Sequence, residues 1–186
     1  MIVQRYNNEI YFNSDVNDDS CQKLIELINE YNDDIDKLYE NKLINNLKVN
    51  PLIIFITTNG GELSEAFRVY NIIKNNKYDI YTVVDSICYS AGTIIYLAGM
   101  RRYIKEFSTI MVHAHITTYE DKNFNEIKNE LEHDKILNKF MLSIYEANLE
   151  ITTKHIKKLM EKNSYIYPEE CIKYEFAHDY YNNYIN

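Results

Sequence analysis

Tryptophan is absent from this chain of 186 residues, and glycine and proline are scarce, at four and two residues. So few breakers of regular structure exclude collagen-like repeats and long flexible linkers. The three cysteines, Cys21, Cys88 and Cys171, lie far apart and form no CxxC pair. We therefore expect a reducing compartment, with neither a disulfide framework nor a metal site, and no cofactor.

Long apolar runs are also missing from the sequence. No run reaches the roughly 18 residues that a membrane-spanning helix needs. The N-terminal stretch MIVQRYNNEIYFN has neither the continuous apolar segment nor the small-residue cleavage site of a secretory signal. We therefore predict a cytoplasmic protein with no membrane partner.

Positive charge is in deficit as well. Lys and Arg number 20 against 28 Asp and Glu, a net charge of -8, and the lysines alternate with acids instead of clustering. Such a surface has no cationic footprint for nucleic acid, so no nucleic-acid partner is expected. The sequence does contain 46% apolar residues, which at this length is typical of a single folded domain over residues 1–186.

The N-terminal quarter predicts a strand that leads into a helix. Residues 9–13 alternate polar and apolar side chains as a short strand does, and residues 19–31 repeat apolar side chains with the period of a helix. Residues 32–51 are polar and weakly periodic, and we interpret them as a helix extension followed by a connecting loop.

The middle of the chain has the pattern of a parallel α/β unit. Residues 52–57, LIIFIT, form a continuous β-branched run typical of a strand buried on both faces. A helical pattern over residues 62–76 and a strand over residues 79–84 follow, and the next helix is expected to start near Ser90. This order predicts a strand–helix–strand unit with a parallel sheet.

Short strands and then helices are predicted for the second half. The stretches RRYIKEF and TIMVH have the composition of two short strands. Residues 123–149 contain no glycine or proline and carry a helical apolar stripe, which predicts a helix of about 40 Å. A domain of this size does not need so long a helix to cover its own core, so we expect it to pack against another subunit. A further helix is predicted over residues 153–163, and Pro168 suits the first turn of another.

The stretch DSICYSAGTIIYLAG puts Ser90 between a β-branched run and an apolar helix start. Acyl transfer from a serine needs a base within hydrogen-bond reach and two donors for the oxyanion. The N–H of Ala91 at the helix start and the bare backbone of Gly60 and Gly61 suit the role of donors. His113 closes an apolar strand at the sheet edge where α/β proteins generally bind ligands, so it is the candidate base.

Each of these signals also has a purely structural interpretation. A Gly-Gly pair is commonly a turn, a serine at a helix start is commonly a cap, and an isolated histidine is commonly a satisfied core or surface residue. His115 would share the side of His113 if the strand continued. His133, His155 and His178 are assigned no role.

The same elements, taken in order, resemble the proteolytic subunit of the Clp protease family. The family's SPGG element appears as TNGG at 58–61, its ASMG nucleophile element as YSAG at 89–92, and its MIHQP element as MVHAH at 111–115. The C-terminal NSYIYPEECIKYEFAHDYY resembles the family's DxFLTAEEAKEYGLID ending. The resemblance covers about residues 8–180, and the joint occurrence of four elements is far more specific than any one.

The resemblance implies an α/β fold, the ClpP/crotonase-like spiral of repeated β-β-α units with a long handle helix. It implies a serine endopeptidase that hydrolyses peptides or unfolded proteins inside a chamber of homo-oligomeric, stacked rings. Ser90 is then the nucleophile, His113 the general base, and the N–H groups of Gly61 and Ala91 the oxyanion hole. The sequence contains no GxxxxGK[ST] motif, so ATP-driven unfolding would come from a separate AAA+ unfoldase.

The third catalytic position departs from the family. The family's triad Asp maps onto Asn163 or, with a slip of two residues, onto Glu161. An amide orients the imidazole but supplies no charge, and Asp-to-Asn in another serine triad costs on the order of 10⁴ in rate. We therefore expect a Ser90–His113–Asn163 arrangement with slow or conditional hydrolysis. The alternative is a catalytically weak or inactive Clp-like ring subunit with a scaffold or regulatory role.

The sequence also departs from the family at its N-terminal segment and at residue 175, and two other protein classes are weighed against it. The segment before the first predicted strand is shorter than the family's axial loop, which argues against coupling to an ATPase. The glycine of the family's EYGLID is Glu175, which predicts an altered C-terminal turn. The pairing of Ser90 with His113 argues against a crotonase-type acyl-CoA enzyme and against a membrane-anchored signal peptide peptidase with a Ser-Lys pair.

Overall fold

The computed structural model describes residues 2–40, 49–115 and 123–182. Eight strands form one sheet, and in chain order they are β1 (Ile2–Tyr6), β2 (Glu9–Asn13), β3 (Leu52–Thr58), β4 (Ile80–Tyr89), β5 (Arg101–Ile104), β6 (Thr109–Val112), β7 (Ser164–Ile166) and β8 (Asp179–Tyr180). Six helices accompany them: α1 (Asp18–Glu40), α2 (Leu63–Lys74), α3 (Ala91–Leu97), α4 (Phe124–Asn148), α5 (Thr153–Glu161) and α6 (Pro168–Lys173).

The sheet is parallel over most of its width and forks at β4. Its main order is β1-β2-β3-β4-β5-β8, with β1 antiparallel to β2 and the other neighbours parallel. The first half of β4 pairs with β5, whereas its second half pairs with β6, which continues to β7. One long strand therefore pairs with both branches of the sheet, and its C-terminal end leads into the turn to α3.

Burial on both faces explains why the central strands read as uninterrupted apolar runs. In β3 six of seven residues are buried, and the helices α1, α2 and α3 pack with the sheet in one core cluster. A second, smaller cluster on the other face consists of Ile53, Phe55 and Val83, flanked by partly buried tyrosines. The predicted parallel α/β unit is confirmed.

The N-terminal prediction was wrong in one respect, because residues 2–6 already form a strand. They pair with β2 through a tight hairpin in which Asn7 adopts a φ of 54°, a conformation that asparagine tolerates. The residues that the prediction left ahead of the first strand therefore belong to the sheet. The helix extension predicted after residue 31 is present to Glu40, while residues 41–48 of the predicted loop lie outside the described residues.

The long helix predicted over residues 123–149 is α4, at Phe124–Asn148. It begins at a capping box, in which the Asn123 side chain accepts from backbone N–H groups of the first turn and Glu126 accepts from Asn123 N–H. Within its 25 residues, the helix buries three: Asp134, Met141 and Tyr145. Most of its length is therefore exposed in the single chain.

The two C-terminal helices match the prediction, whereas the strands β7 and β8 were not predicted. Pro168 begins α6, as its missing N–H favours. Glu175, which stands where the family has glycine, adopts a φ of 62°, the left-handed conformation that glycine most readily takes. The backbone of this turn therefore has a glycine-like shape in spite of its side chain.

Candidate active site

Ser90 occupies a strained turn between β4 and α3. Its φ of 53° and ψ of -124° lie in a region that non-glycine residues rarely adopt, at a cost of about 1–3 kcal/mol. The turn is held because Ser90 N–H donates to Met111 C=O at 2.8 Å and Ser90 C=O accepts from Thr93 N–H at 2.9 Å. A strand-to-helix turn of this kind exposes the serine hydroxyl at the edge of a sheet.

Buried hydroxyl groups of α3 and α4 stabilise the Ser90 turn. Thr93 Oγ1 donates to Ser90 C=O at 2.6 Å and lies 2.7 Å from the hydroxyl oxygen of Tyr145 on α4. Both side chains are buried, and burial raises the pKa of Tyr145 well above its usual range. The Tyr145 phenol is therefore neutral at ordinary pH and serves as a hydrogen-bonding partner. The sequence prediction missed this connection, since a tyrosine in an apolar helical stripe gives no sign of its partner.

His113 follows β6 directly and reaches the serine. The pairing of Tyr89 with Met111 fixes the register of β4 against β6, so the residues just after each strand end lie side by side. His113 Nε2 is 2.7 Å from Ser90 Oγ, within the range of a hydrogen bond, and the imidazole is half-buried. A neutral imidazole whose Nε2 carries the lone pair accepts the hydroxyl proton in this geometry.

Gly60 lies against the Ser90 turn and Gly61 against the backbone of Val16, and neither position has room for a side chain. A Cβ on Gly60 would come within 2.7 Å of Ser90 Cβ and 3.2 Å of Ala91 N, and one on Gly61 within 2.1 Å of Val16 C=O. Both residues also have positive φ, 98° and 143°. Bare backbone at Gly60 therefore lies within reach of Ser90.

The backbone N–H groups of Gly61 and Ala91 belong to the two turns that follow β3 and β4. Gly60 C=O and Glu62 N–H both bond to Val16 on one edge, so the alternation of an extended chain turns Gly61 N–H to the opposite edge, where β4 ends. Ala91 is the first residue of α3, and a helix has no internal partner for its first N–H. These are the two N–H groups that the sequence analysis predicts as oxyanion donors.

Asn163 lies just outside the β6–β7 ladder. The last pair of that antiparallel ladder is Val112 with Ser164, and His113 follows the first of these residues while Asn163 precedes the second. Asn163 follows the end of α5 with a φ of 50°. Within the described residues, no hydrogen bond joins its carboxamide to the imidazole. The structure thus brings Ser90 and His113 within hydrogen-bond distance and sets Gly60 against Ser90 and Ala91, while Asn163 lies one residue before the β6–β7 ladder.

The alternative third residue and the second histidine lie elsewhere. Glu161 is the last residue of α5 and is exposed. His115 turns toward α4, where its Nε2 is 3.2 Å from Asp134 Oδ1. Its backbone is bonded to the side chain of Asn138. The sequence does not reveal the contact between Asn138 and His115, since Asn138 appears there only as a polar position beside an apolar stripe.

The described residues also bear on metal binding, cysteine pairing and membrane spanning. In the described ranges, no group of three or more His, Cys, Asp or Glu side chains is placed to hold a metal ion. The three cysteines are buried and unpaired with one another. No helix among those described is both long enough and apolar enough to cross a bilayer.

Comparisons with known proteins point to one family. A model of the Clp protease family matches residues 9–182. The chain is 22% identical over 121 residues to the ATP-dependent Clp protease proteolytic subunit 2 of Borreliella burgdorferi, a match to 58% of this chain and 61% of that one. The chain thus spans about three fifths of that relative's length.

A solved structure extends the likeness to nearly the whole chain. An Asn-to-Asp mutant of ClpP1 from Listeria monocytogenes superposes with a TM-score of 0.77 over 96% of this chain and 93% of that one. At 18% sequence identity this likeness shows the fold, and it confirms the predicted ClpP-like architecture.

Proposed function

This chain belongs to the Clp protease family, and from that premise we propose that it is a serine peptidase acting on peptides or unfolded proteins. The observation that carries the proposal is the distance of 2.7 Å between His113 Nε2 and Ser90 Oγ at a strained strand-to-helix turn. A structural helix cap needs neither the strain nor the imidazole, whereas an activated nucleophile needs both.

The chemistry follows from the arrangement of these groups. Ser90 Oγ attacks the carbonyl carbon of the scissile peptide bond while His113 Nε2 takes the hydroxyl proton. The carbonyl oxygen becomes an oxyanion that accepts hydrogen bonds from Gly61 and Ala91 N–H. Collapse of this intermediate breaks the C–N bond, and the imidazolium returns its proton to the leaving amine. Water then attacks the acyl-serine by the same route, which releases the acid and restores the Ser90 hydroxyl.

The third catalytic position determines how fast this chemistry runs. We propose Asn163 for it, and the support is that the β6–β7 ladder ends at the pair Val112–Ser164, next to His113 on one strand and to Asn163 on the other. A carboxamide accepts from the imidazole Nδ1–H but adds no negative charge beside the imidazolium. Replacement of Asp by Asn in another serine triad costs on the order of 10⁴ in rate, so slow or conditional hydrolysis is expected here. Glu161 is the other candidate for this position.

The proposal extends to assembly and partners. Helix α4 has four exposed large apolar side chains: Phe124, Leu131, Ile136 and Phe140. Their exposure supports packing of this helix against a second copy in a ring or in stacked rings. The Borreliella burgdorferi relative is named an ATP-dependent protease subunit. The present sequence has no phosphate-binding GxxxxGK[ST] motif, so a separate AAA+ unfoldase would supply that dependence. We further propose a single peptidase domain that works in the cytoplasm.

A second candidate function is a ring subunit without catalysis. The observation that favours it is the lack, within the described residues, of a hydrogen bond from Asn163 to the His113 imidazole. Such a subunit would keep the fold and the assembly surface and have a scaffold or regulatory role.

Hydrolysis of a fluorogenic peptide by the purified protein separates the two functions. The peptidase proposal expects turnover that is lost in Ser90→Ala and in His113→Gln, each with an unchanged circular dichroism spectrum. Ser86→Ala, at an exposed position of the same strand, serves as the matched control and keeps full activity. Turnover that persists in Ser90→Ala would contradict the proposal, and a folded wild-type protein without turnover would favour the scaffold.

A further inference from the structure

A carboxamide on α4 brackets the backbone just beyond the candidate general base. Asn138 Oδ1 accepts a hydrogen bond from His115 N–H at 2.8 Å, and Asn138 Nδ2 donates to His115 C=O at 3.2 Å. A side-chain amide carries one acceptor and one donor group, as a peptide unit does. The contact therefore imitates the pair of bonds that a neighbouring strand makes with one residue, past the point where β6 ends at Val112.

The other edge of the same segment is held by α5. Ala114 N–H donates to Met160 C=O at 3.1 Å in the last turn of that helix. Because successive residues of an extended chain direct their N–H groups to opposite edges, Ala114 and His115 are restrained from the two sides. His113 is the residue that immediately precedes this restrained pair.

Asn138 is itself fixed and does not swing freely on its helix. Its Nδ2 also donates to Asp134 C=O at 3.0 Å, one turn earlier on α4. The His115 imidazole contacts the same turn through Asp134 Oδ1. The two hydrogen bonds between Asn138 and His115, here called the bracket, are therefore anchored on a helix of 25 residues and do not depend on a loose surface side chain.

We propose that Asn138 is a positioning residue, which holds the backbone at His115 so that the His113 imidazole stays within hydrogen-bond distance of Ser90. The inference rests on the proposed function, since it concerns the same Ser90–His113 pair. A displacement of about 1 Å in a reacting group costs on the order of 100-fold in rate. Loss of the bracket frees one edge of a segment whose other edge stays bonded, so we expect a loss of about tenfold.

The experiment compares Asn138→Leu, which keeps the approximate shape and removes both hydrogen bonds, with Asn138→Gln, which restores both groups on a longer arm. Asn71→Leu, a similar change at an exposed position of α2, is the matched control. Hydrogen exchange followed by mass spectrometry reports whether the segment at 113–115 has been released. The rate of Ser90 labelling by a fluorophosphonate, together with kcat and KM for a short peptide, reports the effect on the nucleophile.

Asn138→Leu is expected to speed exchange of the 113–115 segment and to lower the labelling rate and kcat about tenfold, with little change in KM. Asn138→Gln is expected to recover part of both, and Asn71→Leu to behave as the wild type. Faster exchange in Asn138→Leu with an unchanged labelling rate would overturn the inference and leave the peptidase proposal standing. Unchanged exchange would overturn it as well, since the bracket would then not restrain the segment.

A measurement that needs no turnover keeps the two proposals apart. The NMR resonances of the His113 ring, assigned by their loss in His113→Gln, shift in Ser90→Ala if the two side chains are bonded. Asn138→Leu is expected to shift them in the same direction. If the wild type proves unreactive, the peptidase proposal fails, and the His113 resonances alone decide the role of Asn138. Resonances at the wild-type position in Asn138→Leu would then overturn it.

Discussion

Ser90 has a backbone conformation that is costly for the fold, and under the proposed function its hydroxyl is the nucleophile. Elsewhere in the described residues, positive φ occurs at two glycines, two asparagines and Glu175. The hydrogen bonds that Ser90 donates to Met111 C=O and accepts from Thr93 hold the strained backbone, and Gly60 leaves room for it because it has no side chain. The hydroxyl is thereby directed at His113 before any substrate arrives, so little reorganisation remains for the reaction.

At the same scale, Asn163→Asp is expected to raise kcat for peptide hydrolysis at least tenfold. The carboxylate would face the imidazolium that forms in the transition state, and aspartate tolerates the left-handed conformation of this position nearly as well as asparagine. Steady-state kinetics on a fluorogenic peptide measures the effect.

Two companion variants show which residue is responsible. Asn163→Gly keeps the backbone conformation without the side chain and is expected to give no gain. Glu161→Gln is expected to leave the rate unchanged. A large loss of activity in Glu161→Gln, with no gain in a folded Asn163→Asp, would move the third catalytic position to Glu161.

The individual residues differ in how far their sequence context revealed them. The serine, the glycine pair and His113 each end or follow a strand with a clear apolar pattern, so their meeting at one sheet edge was predictable. Thr93, Tyr145 and Asn138 act through contacts across more than 20 positions of the chain. Nothing in their local patterns marks such partners, because packing between elements decides them.

Among the elements, the fork of β4 positions the site. The strand was predicted to end at residue 84, yet it continues to Tyr89. The prediction stopped early because the next two residues, Asp85 and Ser86, are polar, and they lie where the pairing passes from β5 to β6. Short strands such as β1 and β7 escaped prediction because they contain few buried side chains, and their pairing partners stabilise them. Long periodic helices such as α4 were predictable to within a residue or two.

The junction of β5 with the C-terminal segment predicts a dependence of stability on pH. His178 Nδ1 accepts a hydrogen bond from Arg102 N–H at 2.9 Å, which requires a neutral ring. Burial, reinforced by the positive charge of Arg102, lowers the pKa of His178 from 6.5 to about 4. The unfolded chain therefore binds more protons than the native one between these values, so the free energy of unfolding falls as the pH drops from 6.5 toward 4.

Urea unfolding at pH 7 and pH 4.5 tests this dependence at fixed protein concentration. The loss attributable to His178 between the two pH values is about 2 kcal/mol, from the difference between its folded and unfolded pKa. His178→Gln keeps an acceptor for Arg102 N–H without titrating and is expected to lose that much less than the wild type. His133→Gln, at an exposed position of α4, is the control. Equal losses in the wild type and His178→Gln would refute the assignment.

For the molecule as a whole, the exposed side of α4 is the feature that a single chain does not explain. Ile136 and Phe140 are 49% and 50% exposed on a helix that buries three of its 25 residues. Apolar side chains at such positions are typical of a surface that another subunit covers. The length of the helix led to the same expectation from the sequence.

Light scattering on the purified protein tests the assembly. The wild type is expected to have the mass of a closed oligomer, and Ile136→Glu to lower that mass at equal concentration, because a carboxylate in an apolar contact loses its hydration. Asn129→Glu, which adds the same charge at a polar position of the helix, is the control. A monomeric wild type at micromolar concentration would contradict the assembly.

The most direct test of the account is the chemical identity of the residue that a fluorophosphonate modifies. Intact-mass and peptide mass spectrometry of the wild type are expected to show one adduct, located at Ser90, which His113→Gln forms at least 100-fold more slowly because the hydroxyl has lost its base. An adduct on another residue, or labelling of Ser90 at the same rate without His113, would contradict the claim that these two side chains form a catalytic pair.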